Sequence, residues 1–286
     1  MYLTATESPI GGDLNGIDLS TDLSDADITE FKRCFFDRSV IVARNQTLAP
    51  HHLLRIARWF GEPDQHFLKH YAHPDEPQVL VLSNIIDAGK PRGFADAGRV
   101  WHSDGSYMQT PVAVTLLYAL EVPHDNGRAL GDTQFASAWA ACDGLPVATR
   151  EKARGQEVVH QVGGRRRDLG TGRSSDRAEE DRQPEAFHPA LRVHPETGRE
   201  YIFVSKGECR QVVGMPDEEA LCLIDELAEA VQRPEYRYTH RWQVGDLLIW
   251  DNQAVQHLAS FDYQWPQHRR LMHRVTVPEP TQVRGG

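Results

Sequence analysis

The segment Arg99-Val100-Trp101-His102-Ser103-Asp104-Gly105-Ser106-Tyr107 sets an imidazole and a carboxylate two residues apart between aromatic side chains. On an extended strand, side chains at i and i+2 point to the same face. His102 and Asp104 could then offer one nitrogen and one oxygen to a single ion. Equally, a histidine can sit hydrogen-bonded to a neighbouring acid with no metal involved. The two readings separate on whether a third ligand, and the groups that a chemistry would need, lie elsewhere. The run Trp250-Asp251-Asn252-Gln253-Ala254-Val255-Gln256-His257 places a histidine shortly after an apolar stretch. Further on, Arg269-Arg270-Leu271-Met272-His273-Arg274 spaces Arg270 and Arg274 by four residues, an even number, so on a strand both face one side. An arginine directed inward is costly unless it meets an anion, and its planar guanidinium fits a carboxylate at two points. Two such arginines call for two anionic groups or for an ion-pair network.

The elements that must carry these residues are mostly short strands. Ser24-Asp25-Ala26-Asp27 opens a helix, with a capping serine and acids in the first turn, running through Ile28, Phe31 and Phe35 to about Asp37. Ser39–Arg44 is a β-branched strand. Pro50 starts a second helix that Gly61 stops, and a histidine-rich segment follows with His66, His70 and His73, read as surface or pocket-lining imidazoles. Strands are expected at Gln78–Ile85, Pro111–Leu120 and Asp132–Phe135. Residues 137 to 153 are helical in two pieces broken at Gly144-Leu145-Pro146. A hairpin joins Leu191–Pro195 to Glu200–Val204, and Asp217–Gln232 is an amphipathic helix with Leu221, Ile224, Leu227, Ala228 and Val231 on one stripe. Strands close the chain at Tyr236–Trp242, Leu247–Trp250 and Leu271–Val277. Many short strands interleaved with few helices predict a mainly β fold with flanking helices, an antiparallel barrel or sandwich.

The chain has 286 residues, 40% of them hydrophobic and 25% charged, which fits one globular domain over residues 1–286. A net charge of −10 argues against nucleic acid or an anionic membrane as partner. No apolar run approaches the roughly 20 residues of a membrane-spanning helix, and Met1–Thr6 shows no basic region followed by an apolar one. A cytoplasmic location is therefore expected. Cys34, Cys142, Cys209 and Cys222 lack the spacing of a zinc site. Residues 163–185, with Arg165-Arg166-Arg167 and Glu179-Glu180-Asp181 but almost no aliphatic content, are expected to form a mobile loop, able to act as a lid.

Taken together, Trp101-His102-Ser103-Asp104, Gly131-Asp132-Thr133, Trp250-Asp251-Asn252 with His257, and Arg269–Arg274 resemble the taurine dioxygenase / 2,4-dichlorophenoxyacetate dioxygenase family. These are Fe(II)- and 2-oxoglutarate-dependent oxygenases, and the resemblance covers nearly the whole chain. It implies a double-stranded β-helix, or jelly roll. It implies that His102, Asp104 and His257 bind Fe(II), leaving three coordination positions open, and that Thr133 and Arg270 hold the distal carboxylate of 2-oxoglutarate. It places Arg274 and His66 on the substrate's anionic group, and Phe135 near the metal. Tyr107 is expected to border the substrate. The reaction it implies consumes O2 and converts 2-oxoglutarate to succinate and CO2 while hydroxylating a C–H bond of a small anionic substrate, a sulfonate, carboxylate or amino-acid-like molecule. Homodimers or homotetramers are common in the family.

At the substrate positions the chain departs from the family pattern. Lys69 stands where taurine dioxygenases have a tyrosine, Gly98 where they have an asparagine, and Glu208 where they have an aromatic residue. Taurine itself is thus not the expected substrate; an anion on Arg274, with a cationic group near Glu208, is one reading, and Lys69 and Glu208 exposed or paired with each other is the other. The ligand set would equally serve desaturation or cyclisation of an amino-acid-like substrate. A non-catalytic metal-binding jelly roll is disfavoured, because it has no use for the Thr133–Arg270 pair.

Overall fold

The computed structural model describes residues 1–95, 98–165 and 183–280. The centre of the expected 163–185 loop, residues 166–182, lies outside them.

A seven-stranded sheet forms the spine, in the order Tyr2–Ala5, Gly12–Asn15, Val40–Ala43, Leu247–Asp251, Val112–Glu121, Leu271–Pro278, Leu80–Ser83. Every pairing is antiparallel except that of Gly12–Asn15 with Val40–Ala43. Period-two side-chain placement divides each strand between two cores. Ile41, Leu116, Ile249 and Val275 pack against Phe31, Phe35, Leu53 and Ile56, from helices Asp25–Arg38 and Pro50–Ala57. Their alternates Val40, Val42, Leu117, Leu248, Trp250 and Met272 face inward, against Phe135, Trp242 and Val255. Of that inner group, Phe135 and Val255 belong to a three-stranded sheet ordered Arg237–His240, Thr133–Ser137, Val255–Ala259. Two mainly antiparallel sheets closed face to face, with helices on the outer face of the larger one, make the expected jelly roll.

The first helix begins where the sequence places it: Ser24 Oγ accepts the Asp27 amide at 3.2 Å, and the helix ends at Ser39 with φ of 60°. A third core, beneath helix Asp217–Val231, joins Leu223, Ile224 and Leu227 to Val158, Tyr201, Phe203 and Val212. It covers a sheet of Ala186–Pro189, Glu157–His160 and Cys209–Val212. Among the described residues no helix is long and apolar enough to cross a membrane.

Candidate active site

His257 lies mid-strand on Val255–Ala259, cross-strand from Phe135. His102 reaches it from outside any named strand through an isolated antiparallel bridge, with His102 N–H donating to His257 O at 3.1 Å and His257 N–H to His102 O at 2.8 Å. Asp104 follows in a turn rather than on the extended strand that the i, i+2 argument assumes. Gly105 makes that turn possible: its φ is +64°, and a Cβ there would stand 2.8 Å from Val112 Cγ2.

The ligand atoms of His102, Asp104 and His257 all lie within 4.8 Å of one another, and all three residues are buried. Asp104 Oδ1 sits 3.6 Å from His102 Nε2 and 3.8 Å from His257 Nε2. His102 Nδ1 lies 2.8 Å from Val100 O, a carbonyl that only accepts, so Nδ1 carries the proton and Nε2 keeps its lone pair for a metal. Burial pushes His257 down to about 3, and the nearby Arg274 charge adds to it, so the ring is neutral and able to ligate. Burial pushes Asp104 up, but the Arg274 guanidinium, first among the groups that oppose it, helps hold the carboxyl well below the usual range. Two imidazoles and one carboxylate converging on one point are the donor set of a non-haem Fe(II) site with open positions.

Beside this triad, a small cavity of about 40 Å³ is lined by His102, His257, Thr133, Tyr263, Arg270 and Arg274, among others. Arg270 directly precedes the strand Leu271–Pro278 and is anchored there by its backbone: its N–H donates to Asn84 Oδ1 at 2.9 Å, and Ser83 Oγ donates to its carbonyl at 2.8 Å. Its Nε is buried with no partner among the described residues. Thr133 Oγ1 accepts from Trp242 Nε1 at 3.0 Å, which leaves the hydroxyl proton to donate elsewhere. An unpaired guanidinium nitrogen and a hydroxyl with a proton to give, in one cavity opening on the metal ligands, fit the carboxylate of a dicarboxylic acid such as 2-oxoglutarate.

A second cavity, of about 240 Å³, is lined by His66, Phe67, Tyr107, Met108, Val112 and Arg274, among others. Arg274 thus walls both spaces, and its Nη1 stands 3.5 Å from Asp104 Oδ1. Burial and the charge of Arg274 push His66 down to about 3, so it is neutral. His66 Nδ1 accepts the Leu68 amide at 3.1 Å, so the proton is on Nε2, available to donate to an anion.

Of the remaining expected contacts, Phe135 stands against His257, while Lys69 and Glu208 fall away from both cavities. Phe135 is fully buried and stacked on His257 with ring centroids 5.9 Å apart; it supports the ligand from behind and lines neither cavity. Lys69 is exposed on a short 3-10 turn. Glu208 is buried, and its Oε2 accepts the Gly163 amide at 3.1 Å. Neither Lys69 nor Glu208 is among the lining residues of the two cavities, so the geometry gives no support to a substrate cation at Glu208 or to a Lys69 contact. Tyr263 and Trp242 were not anticipated; an aromatic in a loop and another after a strand carry no distinguishing signal until the fold aims them.

The profile of the family described as "Taurine catabolism dioxygenase TauD, TfdA family" matches residues 3–276. The alpha-ketoglutarate-dependent 2,4-dichlorophenoxyacetate dioxygenase of Cupriavidus pinatubonensis (strain JMP 134 / LMG 1197) is 31% identical, over 92% of this chain and 93% of its own length. Pentalenolactone F synthase of Streptomyces arenae is 28% identical, over 94% of this chain and 92% of its own. Among solved structures, AAD-2 in complex with Mn(II) and N-oxalylglycine superposes with a TM-score of 0.81 at 25% identity, covering 97% of this chain and 98% of the other. Sequence match, jelly roll and the buried His-Asp-His cluster agree: the chain belongs to the taurine catabolism dioxygenase TauD, TfdA family and is a 2-oxoglutarate-dependent dioxygenase that uses Fe(II).

Proposed function

We propose that this dioxygenase oxidises a C–H bond of a small organic anion, an aryloxyacetate or an alkyl sulfonate, held by Arg274 at the metal. The observation that carries the reading is the position of Arg274, which faces the larger cavity while standing 3.5 Å from Asp104 Oδ1. An anion gripped there puts its neighbouring carbon beside the triad, and orientation of that kind is worth several kcal/mol of barrier. Bound Fe(II) would supply the oxidising chemistry, coupling O2 and the decarboxylation of 2-oxoglutarate to succinate and CO2 with attack on the substrate C–H bond.

The protein's own residues do the rest. His102, Asp104 and His257 would hold the ion, and Thr133 with Arg270 would hold the far carboxylate of 2-oxoglutarate. Nε2–H of His66 and the guanidinium of Arg274 would clamp the substrate's anionic group from two sides. Phe67, Tyr107, Met108 and Val112 give the larger cavity an apolar wall suited to an aryl ring or short alkyl chain. Two relatives support this range by name, the 2,4-dichlorophenoxyacetate dioxygenase above and an alpha-ketoglutarate-dependent sulfonate dioxygenase of Saccharomyces cerevisiae that is 30% identical over 93% of this chain.

The test is succinate formation across aryloxyacetates, alkyl sulfonates and their uncharged esters or alcohols, with Arg274→Met in parallel. Anions should turn over and neutral analogues should not, and Arg274→Met should lose turnover while the protein still binds Mn(II). Equal turnover of charged and neutral partners would overturn the assignment of Arg274.

A further inference from the structure

The two carboxylate oxygens of Asp104 are held in different ways. Oδ1 faces the triad and Arg274. Oδ2 points away from it and accepts the Thr115 hydroxyl at 2.7 Å. Thr115 Oγ1 in turn accepts from Asn252 Nδ2 at 2.9 Å, so its single proton is committed to Asp104. The Asn252 amide cannot flip without loss, because its Oδ1 accepts both the Asp104 backbone N–H and Trp250 Nε1–H, each at 3.0 Å. All four residues are nearly inaccessible to solvent, Thr115 at 0%, Asn252 at 1%, Trp250 at 2% and Asp104 at 4% exposed. Thr115 also sits at the middle of the large sheet, cross-strand from Trp250 on one side and Thr276 on the other, where its backbone has little freedom to shift. Its inward neighbours along the strand, Leu117 and Ala119, are apolar, so a hydroxyl with both its hydrogen bonds fixed is there for what it touches.

The geometry points to Thr115 as the residue that keeps Asp104 a one-oxygen ligand, with Asn252 orienting it. The reading rests on the 2-oxoglutarate chemistry of the site. Two imidazoles and one oxygen fill three of six positions, and the three left over are what a chelating 2-oxo acid and O2 require. With Oδ2 released, the carboxylate is free to turn and chelate through both oxygens, as ligating carboxylates do when nothing restrains them. It would then take a fourth position and compete with 2-oxoglutarate. Thr115 is on this account a positioning residue: it touches neither ion nor co-substrate, and its hydroxyl sets how many positions remain.

The test uses Thr115→Val, which removes the hydroxyl at nearly constant shape, and Thr115→Ser, which restores it. Mn(II) affinity is followed by the electron-paramagnetic signal of free Mn(II), 2-oxoglutarate affinity of the Mn(II)-loaded protein by calorimetry. Difference infrared spectra with and without Mn(II) report on the carboxylate itself. Thr115→Val should bind Mn(II) within about threefold of the parent or more tightly, yet bind 2-oxoglutarate at least tenfold more weakly. The separation of the antisymmetric and symmetric carboxylate stretches should narrow as Asp104 chelates. Thr115→Ser should resemble the parent in all three. Unchanged 2-oxoglutarate affinity and an unchanged infrared separation in Thr115→Val would overturn the proposal. So would a parallel fall in both affinities that Thr115→Ser does not rescue, since that is the mark of general disruption. If the parent itself bound Mn(II) but not 2-oxoglutarate, the co-substrate reading would fail, while the infrared comparison would still decide the denticity. Should Thr115→Val not fold, Thr115→Cys, with a weaker donor of similar bulk, carries the same expectation at reduced size.

Discussion

Replacing Arg270 by methionine should move two properties of the protein in opposite directions. Arg270 is 8% exposed, its Nε has no partner among the described residues, and its guanidinium lies 5.8 Å from the Tyr263 ring centre. Leaving a buried donor unpaired costs about 1–3 kcal/mol, and the ring contact returns about 0.5–1 kcal/mol. Arg270→Met removes both, so the metal-free protein should be as stable as the parent or more stable by up to ~2.5 kcal/mol. Binding should behave in the other way. A two-point, charge-assisted contact to a carboxylate is worth at least about 3 kcal/mol at ~1.5 kcal/mol per bond, so 2-oxoglutarate affinity should fall by roughly a hundredfold or more. Mn(II) affinity should hold, because the triad is untouched. Urea unfolding of the metal-free proteins gives the first quantity, and calorimetric titration of Mn(II)-loaded proteins with 2-oxoglutarate gives the second. A loss of ~3–5 kcal/mol in stability would show that Arg270 belongs to a structural ion-pair network. A shift of less than threefold in 2-oxoglutarate affinity would show that the small cavity is not the co-substrate site. Either result refutes the reasoning.

Burial, with His188 and Arg192 adding to it, pushes His160 down to about 3. The unfolded chain takes up that proton near 6.5 and the folded protein does not, so the stability present above pH 6.5 is lost as pH falls, at up to ~1.36 kcal/mol per unit. At pH 4.5 His160 alone should account for ~3 kcal/mol, and His160→Phe, keeping the stack on Phe203, should flatten the fall in urea midpoint between pH 7 and 4.5; a slope identical to the parent's would rule this out. Gly105→Ala forces a residue with a side chain into a left-handed turn against Val112, and should cost ~2–4 kcal/mol from backbone strain and overpacking while weakening Mn(II) binding; a loss below ~0.5 kcal/mol would show that the turn relaxes freely. Metal held at a hundred times its Kd should stabilise the protein by ~2.7 kcal/mol, an increment that a chelator abolishes and that Asp104→Ala should never show; an equal metal-induced rise in melting temperature in that variant would place the ion elsewhere.

That His102, Asp104 and His257 would cluster beside two arginines could be argued from sequence because the chemistry proposed for them admits few residue types. A histidine and an aspartate two apart, a later histidine and an evenly spaced arginine pair have few joint explanations. The helices were equally plain where a capping serine or a 3.6-residue stripe announced them, as at Ser24 and over Asp217–Val231. Strands Glu157–His160, Ala186–Pro189 and Cys209–Val212 escaped because four residues are too few to show a period, and their pairing comes from the sheet they join. Val255–Ala259 escaped for another reason: it carries Gln256 and His257 in place of apolar residues, and function has overwritten the strand pattern. Thr115 lay hidden in an apolar run, where a lone threonine reads as a β-former. Glu208 and Lys69 were assigned by correspondence of position, and position does not say where a side chain points.

That Arg274 walls both cavities has a consequence for the order of events. One guanidinium cannot be set independently for two occupants, so whichever ligand arrives first fixes the wall that the second meets. Co-substrate and substrate should therefore be thermodynamically linked, and linkage is reciprocal. The factor by which substrate alters the Kd of 2-oxoglutarate must equal the factor by which 2-oxoglutarate alters the Kd of substrate. Arg274→Met should bring both factors towards one, making the binding of the two molecules indifferent to each other.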